Sequence, residues 1–124
     1  MECMKKILVV EDDQFLKQLY IDILKQEHYD VESVDDGAKA LKVMEKETWD
    51  LILLDMILPH MDGYTILTTL IENKKRPACP VVFMTNLDGN DETDKKKLSL
   101  ADDCWIKSNM SPPEFLEKVK AILK

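Results

Sequence analysis

Five short apolar runs punctuate the chain, at Lys6 to Val10, Asp30 to Val34, Leu51 to Leu54, Pro80 to Met84 and Cys104 to Ile106. Leu51 to Leu54 do not alternate with polar residues, so both faces of that strand are expected to be covered, as in a parallel sheet between helical layers. Helix-competent segments lie between the runs. Phe15, Leu16, Leu19, Tyr20, Ile23 and Leu24 recur along Gln14 to Glu27 at the spacing of a helix that buries one face, and Asp13 is placed to cap it. Gly37 to Lys46 is expected to turn Ala38, Leu41 and Met44 inward, and Tyr64 to Glu72 to do the same with Ile66, Leu67 and Leu70. Ser111-Pro112-Pro113-Glu114 signals a helix start, with Phe115, Leu116, Val119, Ile122 and Leu123 on the buried side. Asp91 to Leu100 is the weakest segment: only Leu98, Leu100 and the following Ala101 anchor it, so it is expected to be the most mobile helix.

This fivefold βα alternation, joined by right-handed crossovers, predicts an α/β fold: a three-layer αβα sandwich around a five-stranded parallel sheet. In the doubly wound order 2-1-3-4-5 the first and third strands are neighbours, and ligands bind beyond the carboxyl ends of the strands. The 124 residues make one domain, 1–124, with no room for an output domain.

Chemistry collects at the strand exits. Glu11, Asp12 and Asp13 follow the first run and Asp55 follows the third. Carboxylates this close raise one another's pKa unless a cation offsets them, and an all-oxygen cluster suits magnesium, or manganese. A lone acid at a strand exit reads first as a loop cap. Asp55, however, is followed by Pro59 and Asp62-Gly63, and three acids exceed what one helix cap needs, so the functional reading is preferred.

Composition narrows the field. Seventeen basic against twenty-four acidic residues give a net charge of -7. The basic run Lys95-Lys96-Lys97 follows Asp91, Glu92 and Asp94, which describes a solvated helix face and not a nucleic-acid patch. Cys3, Cys79 and Cys104 fit neither a disulfide framework nor a zinc pattern and read as reduced thiols of a cytoplasmic protein. His28 and His60 have no partners at metal-ligand spacing, and Trp49 and Trp105 read as packing residues. No apolar run is long enough for a signal peptide or a membrane span.

Thr85 and Lys107 close the fourth and fifth runs, and with them the pattern resembles the receiver domain of two-component response regulators. The resemblance spans nearly the whole chain and rests on Ile7-Leu-Val-Val-Glu-Asp-Asp13, Asp50-Leu-Ile-Leu-Leu-Asp-Met-Ile-Leu-Pro-His-Met-Asp-Gly63 and Ala101-Asp-Asp103 with Lys107. It implies a flavodoxin-like fold and a stand-alone phosphorylation switch in which Asp55 accepts a phosphoryl group from a histidine kinase or phosphotransfer protein. Asp12 would be a direct metal ligand, Glu11 its partner through water, and the backbone carbonyl of Ile57 a further ligand. Lys107 would pair with the phosphoryl oxygens and Thr85 would swing in to hydrogen-bond them. The output would be a phosphorylation-dependent contact with a downstream protein, by a monomer or weak homodimer.

The chain departs from that pattern at three places. Cys104 stands where the family usually has an aromatic residue, Ser108 replaces the usual proline after the lysine, and Asn86 follows Thr85 where a small residue is common. Ile57 and Leu87, two residues past the acceptor and the threonine, are apolar and predict slow self-dephosphorylation. Two other readings compete. A phosphate-independent, receiver-like interaction module is permitted by Cys104 and Ser108 but leaves Asp12, Asp55, Thr85 and Lys107 without a purpose. An aspartyl-nucleophile phosphatase would want a second acid two residues beyond Asp55, where Ile57 stands.

Overall fold

A computed structural model describes residues 4–86 and 92–124. Five strands, β1 (Lys6–Val10), β2 (Asp30–Val34), β3 (Leu51–Asp55), β4 (Val81–Thr85) and β5 (Asp103–Ile106), form one parallel sheet in the order β2-β1-β3-β4-β5. The helices are α1 (Gln14–Gln26), α2 (Gly37–Lys46), α3 (Gly63–Glu72), α4 (Glu92–Leu98) and α5 (Pro112–Ile122). No helix among the described residues is long and apolar enough to cross a membrane.

Side-chain alternation along the strands splits the core in two. Leu8, Val10, Ile52, Leu54, Val81 and Phe83 pack with Ala40 and Met44 of α2 and with Ile66, Leu67 and Leu70 of α3. Ile7, Val9, Leu51, Leu53, Val82 and Met84 face the other way, onto Tyr20 and Leu24 of α1 and Phe115 and Val119 of α5. The three expected layers follow directly. Leu98, Leu100 and Ala101 reach the first of these cores only at its margin, and Asp91 lies outside the described residues.

The helix starts obey their capping signals. Asp13 accepts from Leu16 N, Asp36 from Ala38 N and Lys39 N, and Asp62 from Thr65 N. Ser111 and Glu114 form a reciprocal capping box with proline in the first turn.

Two inward assignments are corrected. Phe15 is 76% exposed: α1 begins at Gln14, and the face it turns to the sheet is the one carrying Tyr20 and Leu24, with Leu16 and Ile23 at its edges. In α2 the inward stripe is Gly37, Ala40 and Met44, while Ala38 is exposed and Leu41 is half-buried. In both helices one apolar residue in the first turn falls outside the arc that meets the sheet.

Candidate functional site at the carboxyl ends of the strands

Register brings the site together. Val10 lies beside Leu54 in the β1–β3 pair, so the residues that follow, Glu11 and Asp55, leave the sheet side by side. Asp55 pairs with Met84, and Thr85 with Ile106, which places Lys107 one residue beyond. Alternation continues past the strand ends. Glu11, Asp55 and Lys107 fall in phase with the strand residues that face α1 and α5, whereas Thr85 is in phase with Val81 and Phe83 on the opposite face.

A cleft of about 320 Å³ opens there, lined by Glu11, Asp12, Asp13, Leu16, Asp55, Ile57, Thr85, Asn86 and Lys107. It gathers all six residues that the sequence singled out. Leu87 lies outside the described residues.

Glu11 is 2% and Asp55 6% exposed, and Thr85 is buried as well, while Asp12 is exposed. Nζ of Lys107 donates to Oε1 of Glu11 at 2.5 Å and to Oδ2 of Asp55 at 2.8 Å. The second oxygen of each acid is also occupied: Oε2 of Glu11 accepts from Asp13 N at 3.2 Å, and Oδ1 of Asp55 from Ile57 N at 3.3 Å. Burial and the neighbouring Asp55 push the Glu11 carboxyl up, against the pull of Lys107. Burial works to lower the ammonium of Lys107, but its hydrogen bonds to Asp55 and Glu11 win and hold it above the ordinary lysine value.

Glu11, Asp12 and Asp55 can each offer one oxygen with all three atoms within 4.8 Å of one another. That spacing and an oxygen-only donor set fit a small hard cation. Lys107 already supplies one positive charge to Glu11 and Asp55, and the exposed Asp12 leaves an open side through which a cation can enter.

One glycine shapes the surroundings. A Cβ on Gly63 would stand 2.4 Å from the carbonyl oxygen of Asp55, and Gly63 N donates to Met56 O at 2.9 Å. The Asp62-Gly63 pair thus folds the loop back so that α3 begins against the end of β3. His60, which has no partner at metal-ligand spacing in the sequence, is exposed but is not solitary. Its ring meets the carboxylate of Asp36, and its backbone has a φ of 67°. Nothing in the local pattern pointed to Asp36 as its partner, because they belong to different crossover units.

Residues 7–120 match the family described as the response regulator receiver domain. The chain belongs to that family. It is 39% identical over 121 residues to the alkaline phosphatase synthesis transcriptional regulatory protein PhoP of Bacillus subtilis, covering 97% of this chain and 49% of that protein. The receiver therefore spans about half the length of this curated relative. Among solved structures, the BeF3-activated receiver domain of Klebsiella pneumoniae RstA is 31% identical with a TM-score of 0.82, covering 97% and 99% of the two chains. The receiver domain of a Pseudomonas aeruginosa sensor histidine kinase, described with a magnesium ion in its active-site cleft, shares the fold at 23% identity and a TM-score of 0.82, over 97% and 98%.

Cys104 and Trp105, adjacent on β5, face opposite cores. Trp105 is buried on the α5 side, edge-on to Phe115 with centroids 6.2 Å apart, and its Nε1 donates to Asp103 at 3.0 Å. Cys104 points to the other core, where it is half-buried. The turn after Lys107 is a single 3₁₀ turn, Lys107–Asn109.

Proposed function

We propose that this receiver takes a phosphoryl group on Asp55 from the phosphohistidine of a histidine kinase or phosphotransfer protein, and signals through phosphorylation-dependent protein contact. The observation that carries this reading is the ammonium of Lys107 held between the buried carboxylates of Glu11 and Asp55. A carboxylate oxygen of Asp55 attacks phosphorus, the P–N bond of the donor breaks, and the imidazole leaves with the bonding pair. Lys107 then faces a phosphoryl group that has added negative charge in a largely buried site. Phosphoryl transfer asks the protein chiefly for such positioning and charge neutralisation.

Asp12 and Asp55, with the carbonyl of Ile57 and with Glu11 acting through water, are the residues that would hold magnesium. When bound there, the ion supplies additional charge neutralisation at the phosphoryl oxygens. The hydroxyl of Thr85, at the cleft wall, is the group that would turn to the phosphate and transmit its presence toward α4.

The donor docks over apolar surface beside the cleft. Phe15 in the first turn of α1 and Ile57 at the cleft wall are 76% and 69% exposed, and neither contributes to a core. Ile57 lines the cleft and Phe15 immediately precedes the cleft-lining Leu16, and large side chains left in water there suit transient burial by a partner.

Intact-mass measurement after incubation with acetyl phosphate, with and without magnesium and with Asp55→Asn as control, tests this reading. One metal-dependent phosphoryl addition, absent from the variant, is expected. No addition under any condition, from acetyl phosphate or from a phosphohistidine donor, would leave a phosphate-independent interaction module.

A further inference from the structure

The loop after β3 carries the cleft-lining Ile57, and it is tied to the start of α2 at three points. Gly37 N donates to Pro59 O at 3.1 Å. A Cβ on Gly37 would stand 1.8 Å from the carbonyl oxygen of Met61, so only glycine lets the helix come this close. The third tie joins Nδ1 of His60 to Oδ2 of Asp36.

Asp36 uses its two oxygens for different ends. Oδ1 caps α2, accepting from Ala38 N at 2.8 Å and Lys39 N at 3.1 Å, while Oδ2 is given to His60. His60 holds this carboxyl below its usual range, helped by the backbone amides. The backbone of His60 sits at φ 67°, a region a residue with a Cβ occupies only when its surroundings hold it there. Burial does not hold it, since its side chain is 74% exposed. A backbone bond closes the turn around it, Met61 N donating to Pro59 O at 2.8 Å, and the contact with Asp36 ties the side chain to α2.

We infer that the Asp36–His60 contact is a latch that fixes the loop after β3, making both residues positioning residues for the cation site, to which neither contributes a ligand. The inference rests on the receiver reading, in which the carbonyl of Ile57 faces the cation. The loop's ends are secured by Ile57 N on Asp55 and Gly63 N on Met56 O, and its middle by Gly37 N on Pro59 O together with the latch. Without it, the carbonyl of Ile57 must be ordered at the moment a cation binds, and that ordering entropy weakens affinity.

The test is calorimetric titration of the full chain with Mg²⁺, comparing wild type, His60→Gly, Asp36→Ser and the double variant. Glycine keeps the positive φ without strain and serine keeps a helix cap, so both variants should fold with nearly unchanged melting temperature. Each single variant is expected to bind Mg²⁺ roughly tenfold more weakly, the low end of what losing an outer partner costs a metal site. The double variant should lose no more than either single one, because both remove the same contact. The phosphorylation rate from acetyl phosphate at saturating Mg²⁺ should stay near that of wild type. Wild-type affinity in either single variant, or losses that add in the double variant, would overturn the latch. A wild-type chain that neither binds Mg²⁺ nor gains a phosphoryl group would overturn the receiver reading itself, a different result seen before any variant is made.

Discussion

Nζ of Lys107 lies 2.5 Å from Oε1 of Glu11, although 96 residues separate the two in the chain. The same ammonium reaches Asp55 at 2.8 Å, so one cation serves two buried carboxylates. Lys107→Met would strand both acids, and removing one partner from a buried ion pair costs about 3–5 kcal/mol.

That loss should depend on pH in a definite sense. Lys107 titrates higher in the folded chain, so its contribution is fully present below the unfolded lysine pKa and fades as pH rises through the folded value. Wild type should therefore lose stability at strongly alkaline pH more steeply than Lys107→Met. Glu11 is also raised, so the folded variant takes up a proton more readily than its unfolded chain, and the deficit at neutral pH should shrink in mild acid. Urea unfolding across the pH range measures both. A pH-independent deficit would mean that the stranded carboxylates are not its source.

Gly63→Ala sets a methyl group against the carbonyl of Asp55, the proposed phosphoacceptor, 2.4 Å away. Backbone at the end of a central strand cannot move aside cheaply, and overpacking of this kind costs about 1–3 kcal/mol. Chemical denaturation should show that loss, and an acetyl phosphate time course should show slower modification, because the atom displaced belongs to Asp55.

Ile57→Asn tests whether an apolar wall protects the acyl phosphate. Ile57 lines the cleft and offers water no hydrogen-bond partner, whereas asparagine would. Dephosphorylation should quicken roughly tenfold, equivalent to about 1.4 kcal/mol in the barrier. Following phosphate loss by intact mass after removing the donor decides it, and rapid loss from wild type that Ile57→Asn leaves unchanged would sink the idea.

Phe15→Ala separates docking from chemistry. An exposed side chain contributes little to folding, so stability should stay within about 0.5 kcal/mol of wild type. Transfer from a cognate phosphohistidine protein should fall, by the 1 kcal/mol or more that truncating an aromatic interface anchor typically costs. Acetyl phosphate, which needs no docking face, should react at the wild-type rate. Equal effects on both donors would place Phe15 in the chemistry and not at the interface.

Much of this architecture was legible locally. Apolar runs at Ile7 to Val10 and Leu51 to Leu54 identify buried strands, and Asp13 and Ser111 mark helix starts, because strand periodicity and capping act over a few residues. The acids at the strand exits likewise announce a ligand edge. What the sequence alone determined about this protein is therefore its set of elements, their parallel order and the end of the sheet where polar groups meet.

Only the tertiary structure decided which of those groups touch. Glu11, and not its exposed neighbour Asp12, meets Lys107, because Glu11 leaves β1 in phase with Ile7 and Val9 on the α1 and α5 side, where Lys107 follows Trp105. Phe15 faces water because the arc of α1 that meets the sheet is narrower than its apolar pattern. His60 finds Asp36 because the β3–α3 loop crosses the start of α2. Local periodicity reports which side chains must be buried; partners 24, 52 or 96 residues apart are set by strand register and crossover geometry, which no short window contains.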